Sequence, residues 1–402
     1  MQYFAPPDGS GGTRPYEMAR RLVKAGHRVT VITGSSTFPK RYEFPDEVSS
    51  LRLDGIDLRV IKVSYSNKLS FPQRIKAFFV FAWKSGHEAA RVEGADVIFA
   101  TSTPLTIALP AVWAKRRLGV PMVFEVRDLW PEVPIALGAL KSPVSKWAAR
   151  WLERFAYRNA ERIVALSPGM KDGVVRVDER PDRVTVIPNS SDIELFRVPE
   201  STGEEFLREH PHLKGSALVT YGGTLGIVNG VEYLVETAAE MLKLDPGVRF
   251  LLVGDGNRKE FALERARALG VLEKNLWMMP PIEKKAMPKV LSASTVTVST
   301  VIDVPELRHN SANKFFDSLA AERPMMINHE GWLADLIRDS GAGLVTPPGD
   351  PKAAARQLQA FLSDKEGLRR SREAAKRLAD EEYGRDRLFA RLLGVLEEAR
   401  RV

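Results

Sequence analysis

Lys314 and Asp317 are the residues whose types and spacing point most directly to chemistry in this chain. They lie in the run Asn313-KFFDSLAAERP, where Phe315, Phe316, Leu319 and Ala320 recur at helical spacing and Arg323-Pro324 ends the pattern. A cation in a first helical turn opposes the helix dipole and is badly placed unless an anion sits there. A helix N-terminus carrying a lysine is a phosphate site in outline. Asp317, one turn on, shares that face and can accept hydrogen bonds from sugar hydroxyls. The plain alternative is a surface ion pair between the two. Ser311 or Asn313 is expected as the N-cap, since either side chain satisfies free amide donors.

The elements that must position this pair follow from hydrophobic patterning. In the second half, Leu218 to Tyr221 reads as a strand running into Gly222-Gly223-Thr224-Leu225-Gly226, then a helix from about Gly230 to Leu242. Phe250 to Val253 runs into Gly254-Asp255-Gly256 in the same way. Leu276 to Met279, Val296 to Ser299, Met325 to Ile327 and Gly343 to Val345 complete a parallel set. Glycines at the carboxyl ends of strands are where α/β sheets admit ligands. The first half alternates likewise, with strands over Val29 to Thr33, Leu58 to Val63, Val97 to Thr101, Met122 to Val126, Arg162 to Leu166 and Val184 to Ile187. Helices fall near 14–25, 72–92, 104–118 and 142–159. The polar stretch 198–216 reads as the linker. Gly9, Gly11 and Gly12 open the first helix, although GSGG is equally a plain turn. Such a loop normally follows a strand, and Gln2-Tyr3-Phe4 is too short to be one. Roughly five to eight apolar residues are therefore expected ahead of Gln2 in the complete protein.

Composition bounds the classes. At 402 residues the chain is too long for one ordinary core, so two domains are expected. With no cysteine it has no disulfide, thiolate metal site or cysteine nucleophile. No apolar run approaches the ~18 residues that span a bilayer. A formal charge of +8 suggests an anionic partner, phosphate or a lipid surface, while zinc-finger spacings and aromatic-basic RNA signatures are missing, which argues against nucleic acid.

Eight stretches together resemble a known family: Gly9-SGGTRPYEMARRL, Glu125-VRDLWPEVPIALG, Val164-ALSPGMKDGV, Ile187-PNSSDIELF, Tyr221-GGTLGIVNGVEYL, Val253-GDG, Asn313-KFFDSLAAERP and Glu382-YGRDRLFARLLGVLE. The chain resembles a family 4 glycosyltransferase of the GT-B fold, two Rossmann-like doubly wound parallel-sheet domains facing a cleft. Within that family it is most similar to the N-acetylfucosamine transferases of bacterial O-antigen, capsule and colanic-acid synthesis. The resemblance implies an acceptor-side domain over 1–197, joined by the final helix 385–402, and a nucleotide-sugar domain over 212–384. It implies a UDP-sugar as co-substrate, with no cofactor.

The resemblance also implies roles. Gly11 and Gly12 would approach the donor phosphate from the first domain, and Gly222, Gly223 and Thr224 from the second. Gly254, Asp255 and the backbone at Pro281-Ile282 would border the base. Asp317 matches the second acid of the family's Glu-x7-Glu motif, which holds the ribose hydroxyls. Three departures stand out. The first acid of that motif falls on His309. Thr224 and Asn229 replace the Arg and Lys that neutralise the diphosphate in many relatives, leaving Lys314 and Arg308 to supply charge. Arg127-Asp128 replaces a histidine after the Met122–Val126 strand, as is usual in the RDLWPE subgroup. No Asp-x-Asp calls for a metal, so leaving-group charge falls to cations and helix N-termini. Asp128 or Glu132 would orient the acceptor or steady the sugar ring. A structural alternative makes Arg127-Asp128 a buried ion pair tying loop to strand. Retention of anomeric configuration follows from the family, as does a donor sugar of the N-acetylated hexosamine or deoxyhexosamine class.

The acceptor implied is a lipid-linked saccharide, met by an enzyme lying peripherally on the cytoplasmic face of the membrane. Residues 68–91 and 141–158 mix Phe71, Phe78, Phe79, Phe81, Trp83, Trp147 and Trp151 with Lys68, Arg74, Lys76, Lys84, Lys146, Arg150 and Arg154, the composition of an interfacial anchor. Core-facing aromatics with a solvated basic face explain the same residues. Two other readings of the chain remain: a nucleotide-sugar 2-epimerase of the same fold, and a catalytically silent scaffold. Neither glycine turn fits G-x-G-x-x-G, which argues against a dinucleotide enzyme.

Overall fold

The structure, a computed structural model, describes residues 1–9, 12–63, 65 and 69–401, with Phe71 described by its backbone alone. It divides into two units, Met1–Pro188 with Leu388–Val402, and Asn189–Arg387. Gly11 and Lys68 lie outside the described residues.

The first unit carries strands β1 (Thr30–Gly34), β2 (Val48–Leu53), β3 (Ile56–Ile61), β4 (Ile98–Thr101), β5 (Met122–Val126), β6 (Arg162–Ala165) and β7 (Val184–Val186). They form one sheet in the order β1-β3-β2 and a parallel one in the order β4-β5-β6-β7. β2 pairs antiparallel with β3, a departure from the expected alternation of strand and helix. Asp54 (φ 49°) and Gly55 (φ 80°) make the two-residue turn between them. Asp-Gly favours this turn because both positions need a left-handed backbone. The strand escapes hydropathy reading because β2 is only half-buried along its length.

A buried ion pair fixes the centre of this unit. Arg14, 2% exposed, opens the helix Arg14–Lys24 and sends Nε to Glu125 Oε1 at 3.0 Å, Nη1 to Pro188 O at 2.5 Å and Nη2 to Ile187 O at 3.0 Å. Thr101 Oγ1 donates to Glu125 Oε2 at 2.7 Å. Burial raises the Glu125 pKa, but the charges of Arg14 and Arg127 and the Thr101 bond outweigh it and hold the carboxyl below its ordinary range. The buried pair next to this loop is thus Arg14 with Glu125, not Arg127 with Asp128. The final helix, Arg385–Arg400, lays Leu388, Leu392, Val395, Leu396 and Ala399 over Met18, Val123, Val164 and Ile187.

The second unit is one parallel sheet of β8 (Ala217–Gly222), β9 (Val248–Val253), β10 (Leu276–Met279), β11 (Val296–Ser299), β12 (Met325–Ile327) and β13 (Gly343–Val345), in the order β10-β9-β8-β11-β12-β13. β8, β9 and β11 are buried almost throughout, as strands covered on both faces must be. The polar stretch expected to be a linker is instead the helix Glu200–Glu209, which buries Phe206. A Cβ on Gly203 would lie 2.5 Å from the Ser292 carbonyl carbon, so this helix packs backbone-close on the helix Met287–Ala293. Composition did not reveal it because only one turn of the helix touches the core.

Arg14→Met should cost about 3–5 kcal/mol in urea unfolding, because it strands the Glu125 charge in the interior. Arg14→Met with Glu125→Leu should recover most of that loss; a double variant as unstable as the single one would show that the charge is not the cause.

Candidate functional site

In the second unit the carboxyl ends of β8 and β9 run into two glycine turns that interlock. The Gly223 amide donates to Val253 O and the Leu225 amide to Asp255 O, each at 2.9 Å. A Cβ on Gly254 would lie 1.9 Å from Gly223 O, and one on Gly256 would lie 2.2 Å from Leu225 O. Neither position admits a side chain, so both turns stay open to a ligand at backbone distance. The strand order runs outward in opposite senses from β8 and β11, which places the Gly222–Gly226 turn at the switch point of the sheet. Thr224 and Asp255 stand exposed at the rim of these turns.

Lys314 reaches into this turn from the helix Asn313–Ala320. Its Nζ lies 3.8 Å from the centre of the Tyr221 ring, and 3.2 Å from where a Gly223 Cβ would be. The ring is held by the Tyr221 hydroxyl, which donates to Thr224 O at 2.7 Å. Burial, with no carboxylate among the described residues to oppose it, pushes the Lys314 pKa down to about 7. The Tyr221 ring face favours the charged form and offsets part of that cost.

Asp317 does not pair with Lys314. Its carboxylate takes Lys284 Nζ at 3.1 and 3.2 Å and the Ser191 hydroxyl at 2.7 Å. Lys284 in turn stands 5.4 Å from the Phe196 ring centre. The surface ion pair between Lys314 and Asp317 is therefore not formed. The expected cap is also different: Ala312 precedes the helix and no side chain caps it. Ser311 accepts the Asn189 amide at 3.1 Å instead, and so braces the segment that carries Ser191.

Arg308 and His309 lie on the 3-10 turn Pro305–His309. Arg308 stands 3.5 Å from Asp303 with both side chains well exposed, and its carbonyl packs under Gly331, where a Cβ would approach to 2.3 Å. His309 is half-buried, and Ile282 packs beside Met287 and Val253. In the first unit Gly12 is exposed ahead of the Arg14 helix. Asp128 is exposed and accepts the Thr103 hydroxyl at 2.8 Å, while the Arg127 amide donates to Ser102 Oγ at 2.9 Å. Glu132 faces inward, one of its oxygens buried without a partner, toward Glu153. Burial first, and then the Glu132 charge, push the Glu153 pKa up to about 8.

The structure thus gathers Gly222, Gly223, Thr224, Gly254, Asp255 and Lys314 into one corner of the second unit, with Asp317 on a neighbouring face of the same helix. It adds Tyr221, Lys284 and Ser191, for which sequence spacing offered no signal. It separates Asp128, which faces solvent, from Glu132, which does not.

Residues 9–190 match the family described as Glycosyl transferase 4-like domain, and residues 203–378 match Glycosyl transferases group 1. The chain is 24% identical over 287 residues to an alpha-D-kanosaminyltransferase of Streptomyces kanamyceticus, covering 70% of this chain and 72% of that one. It is 26% identical over 323 residues to a probable glycosyltransferase, WbjE, of Pseudomonas aeruginosa, covering 76% of each. Among solved structures, Anabaena HepE in complex with UDP-glucose superposes with a TM-score of 0.73 at 16% identity, over 99% of this chain and 98% of that one. WaaG, a glycosyltransferase involved in lipopolysaccharide biosynthesis, gives 0.69 at 16% identity, over 98% of each. These two likenesses show the GT-B fold. The chain belongs to the glycosyltransferases, with a 4-like domain followed by a group 1 domain.

Lys314 has a folded pKa depressed from 10.5 to about 7, so between those values the unfolded chain binds a proton that the native protein does not. Stability should therefore rise with pH from about 7 to 10.5, by ~2 kcal/mol once the ring contact is discounted. Lys314→Met should flatten that rise in urea titrations at fixed ionic strength. An unchanged slope would mean that Lys314 is already charged in the empty protein.

Proposed function

We propose that this glycosyltransferase moves a sugar, of the N-acetylated hexosamine or deoxyhexosamine class, from a UDP-sugar to a lipid-linked saccharide at the cytoplasmic face of the membrane, with retention of anomeric configuration. The observation that carries the donor half is Lys314. A partly neutral amine held against a glycine turn, with no carboxylate among the described residues to satisfy it, is suited to an incoming diphosphate. The UDP-glucose complex of Anabaena HepE supports the same donor chemistry. In this reading the departing diphosphate is stabilised by Lys314, with Arg308 near by, and by the amides of Gly222, Gly223 and Thr224, rather than by a metal. Asp317, held in place by Lys284 and Ser191, receives the ribose hydroxyls, and Gly254, Asp255 and Ile282 border the base. In the same reading His309, at the position of the first acid of the Glu-x7-Glu motif, faces the donor sugar. In the first domain Asp128, exposed and fixed by Thr103, orients the acceptor.

The lipid half rests on the first unit's surface. Phe78 and Phe81 are core residues, as the bland reading has it, but Phe79, Trp83, Val144, Trp147 and Trp151 are exposed, Trp83 to 72% and Trp147 to 68%. Trp113, from the neighbouring helix Ala108–Leu118, adds a further exposed ring. Lys76, Arg150, Arg154 and Arg158 stand exposed on the same two long helices, Phe71–Ala89 and Pro143–Asn159, with Lys141 exposed just ahead of the second. Tryptophan so exposed is costly in water and at home at a bilayer interface, and each basic residue adds about 1 kcal/mol near anionic headgroups. No helix among the described residues is long and apolar enough to cross a membrane. A long acyl chain leaves the bilayer at about 0.8 kcal/mol per CH₂, so the enzyme must come to its acceptor.

Asp317→Asn and Lys314→Met should each weaken UDP binding by about 1.5–3 kcal/mol in calorimetry. UDP binding to the wild type at pH 8 should also take up a proton, read from the dependence of the heat on buffer ionisation enthalpy, because the diphosphate restores the Lys314 charge. Unaltered UDP affinity in both variants would remove the donor assignment, and conversion of a UDP-sugar to its 2-epimer without acceptor would favour the epimerase. Separately, flotation should show binding to anionic but not zwitterionic vesicles, reduced by salt, by joint replacement of Arg74, Lys76 and Lys84, and by joint replacement of Trp83, Trp147 and Trp151 with serine. Equal partitioning to neutral vesicles, or none to either, would return these helices to an ordinary solvated face.

A further inference from the structure

After β12 the chain runs Asn328-His329-Glu330-Gly331 into the helix Trp332–Ser340, and this loop is laced to the segment that carries Arg308. The Asn328 side chain accepts the Val301 amide and donates to the Val301 carbonyl, each at 2.9 Å. Gly331 (φ 110°) lies so close to the turn that a Cβ there would come 2.3 Å from the Arg308 carbonyl oxygen. Trp332 Nε1 donates to Asn310 O at 2.8 Å. His329 stands between these ties and is 2% exposed. All of these residues belong to the second unit.

Two polar atoms of this layer are left over. His329 Nδ1 lies 3.0 Å from Glu330 O, and a carbonyl can only accept. The neutral ring therefore carries its proton on Nδ1 and a lone pair on Nε2. That Nε2 is buried with no partner among the described residues. Arg308 Nε, which can only donate, is likewise buried without a partner among them. The tip of the Arg308 guanidinium meets an exposed Asp303 at 3.5 Å, a contact too long and too solvated to hold it. Burial holds the His329 pKa below its ordinary 6.5, and the Arg308 charge, felt across this layer, adds to that. Glu330 opposes them, but its carboxylate is taken by Arg338 through two bonds of 2.7 Å. The ring is thus a neutral acceptor at pH 7. A buried donor and a buried acceptor on segments tied to each other are costly apart and complementary together.

We propose that His329 is the positioning residue of Arg308: its Nε2 accepts the Arg308 Nε–H when a diphosphate draws the guanidinium away from Asp303, and so aims the fork at the phosphate oxygens. Lys314 meets the same anion as a point charge and needs no such aim, whereas a planar guanidinium binds well only in the right orientation. The inference deepens the donor reading and rests on it, since it takes the diphosphate to lie in the corner of Lys314.

The test is calorimetry of UDP with His329→Phe, Arg308→Met and the double variant. His329→Phe should weaken UDP about tenfold or more, the worth of one hydrogen bond to a charged group. In the Arg308→Met background the same replacement should cost nothing further, and His329→Gln, whose Oε1 can accept, should recover most of the loss. Equal losses with and without Arg308, or no recovery with glutamine, would overturn the proposal. Lys314→Met separates the two readings. A loss of UDP affinity there, without coupling between His329 and Arg308, overturns this inference alone; no loss there removes the donor reading and this one with it. Should His329→Phe fail to fold, the parent and Arg308→Met are compared across pH, both carrying His309→Gln so that the neighbouring histidine does not titrate. Below 6.5 a protonating His329 loses its lone pair and repels Arg308, so the parent's advantage in UDP affinity should shrink. A constant advantage would overturn the proposal equally.

Discussion

A parallel sheet covered on both faces leaves its polar chemistry one place to go, the strand ends, and the rest of this protein follows from that constraint. In the second unit β8, β9 and β11 are buried almost throughout, so nothing along them can meet a charged ligand. At their carboxyl ends the chain must turn in little space. Gly223 O occupies the position a Gly254 side chain would need, and Leu225 O the position a Gly256 side chain would need. Glycine here is a requirement of backbone meeting backbone, and a ligand can approach because the same side chains are missing.

The buried charges sort by whether the fold satisfies them. Arg14 is spent on Glu125 and two carbonyls. Arg323 bonds to Leu291 O and Ser292 O, and Arg385 to Ser190 O and Asp192. Each is a tie between segments, and each would leave a partner stranded if removed. Lys314 is different, resting on a ring face beside a glycine turn with burial lowering its pKa. A fold that merely needed to fill this space would place an apolar residue there. The amine is tolerated at the cost of part of its charge, which makes it responsive to an arriving anion.

The first unit handles its aromatics with the same division. On the helix Phe71–Ala89, Phe78 and Phe81 go into the core, while Phe79 and Trp83 point out. On Pro143–Asn159 the core takes Ala156 and Tyr157, leaving Trp147 and Trp151 outside. Helical periodicity explains the inward set, and the outward rings pack along their own helices, Trp83 on His87 and Trp151 on Phe155.

By itself the sequence determined most of the architecture, because strand and helix identity are written in local patterning. β5, β10, β11, β12 and β13 fall where their apolar runs place them. The same holds for the glycine turns after β8 and β9, since a strand ending in glycines has few other forms. The sequence failed where local pattern is weak: β2 alternates poorly at half-burial, and the helix Glu200–Glu209 fully buries only Gly203 and Phe206. Only tertiary structure decided partners. Lys314 and Asp317 share a helix and an expected face, yet one goes to Tyr221 and Gly223 and the other to Lys284 and Ser191. Asp128 and Glu132 are four residues apart, and one faces solvent while the other faces Glu153. The physical reason is common to both cases. Helical spacing fixes which side of an element a residue occupies, whereas its partner is chosen by segments distant in sequence, 33 and 126 residues away for Asp317, and no local pattern carries that information.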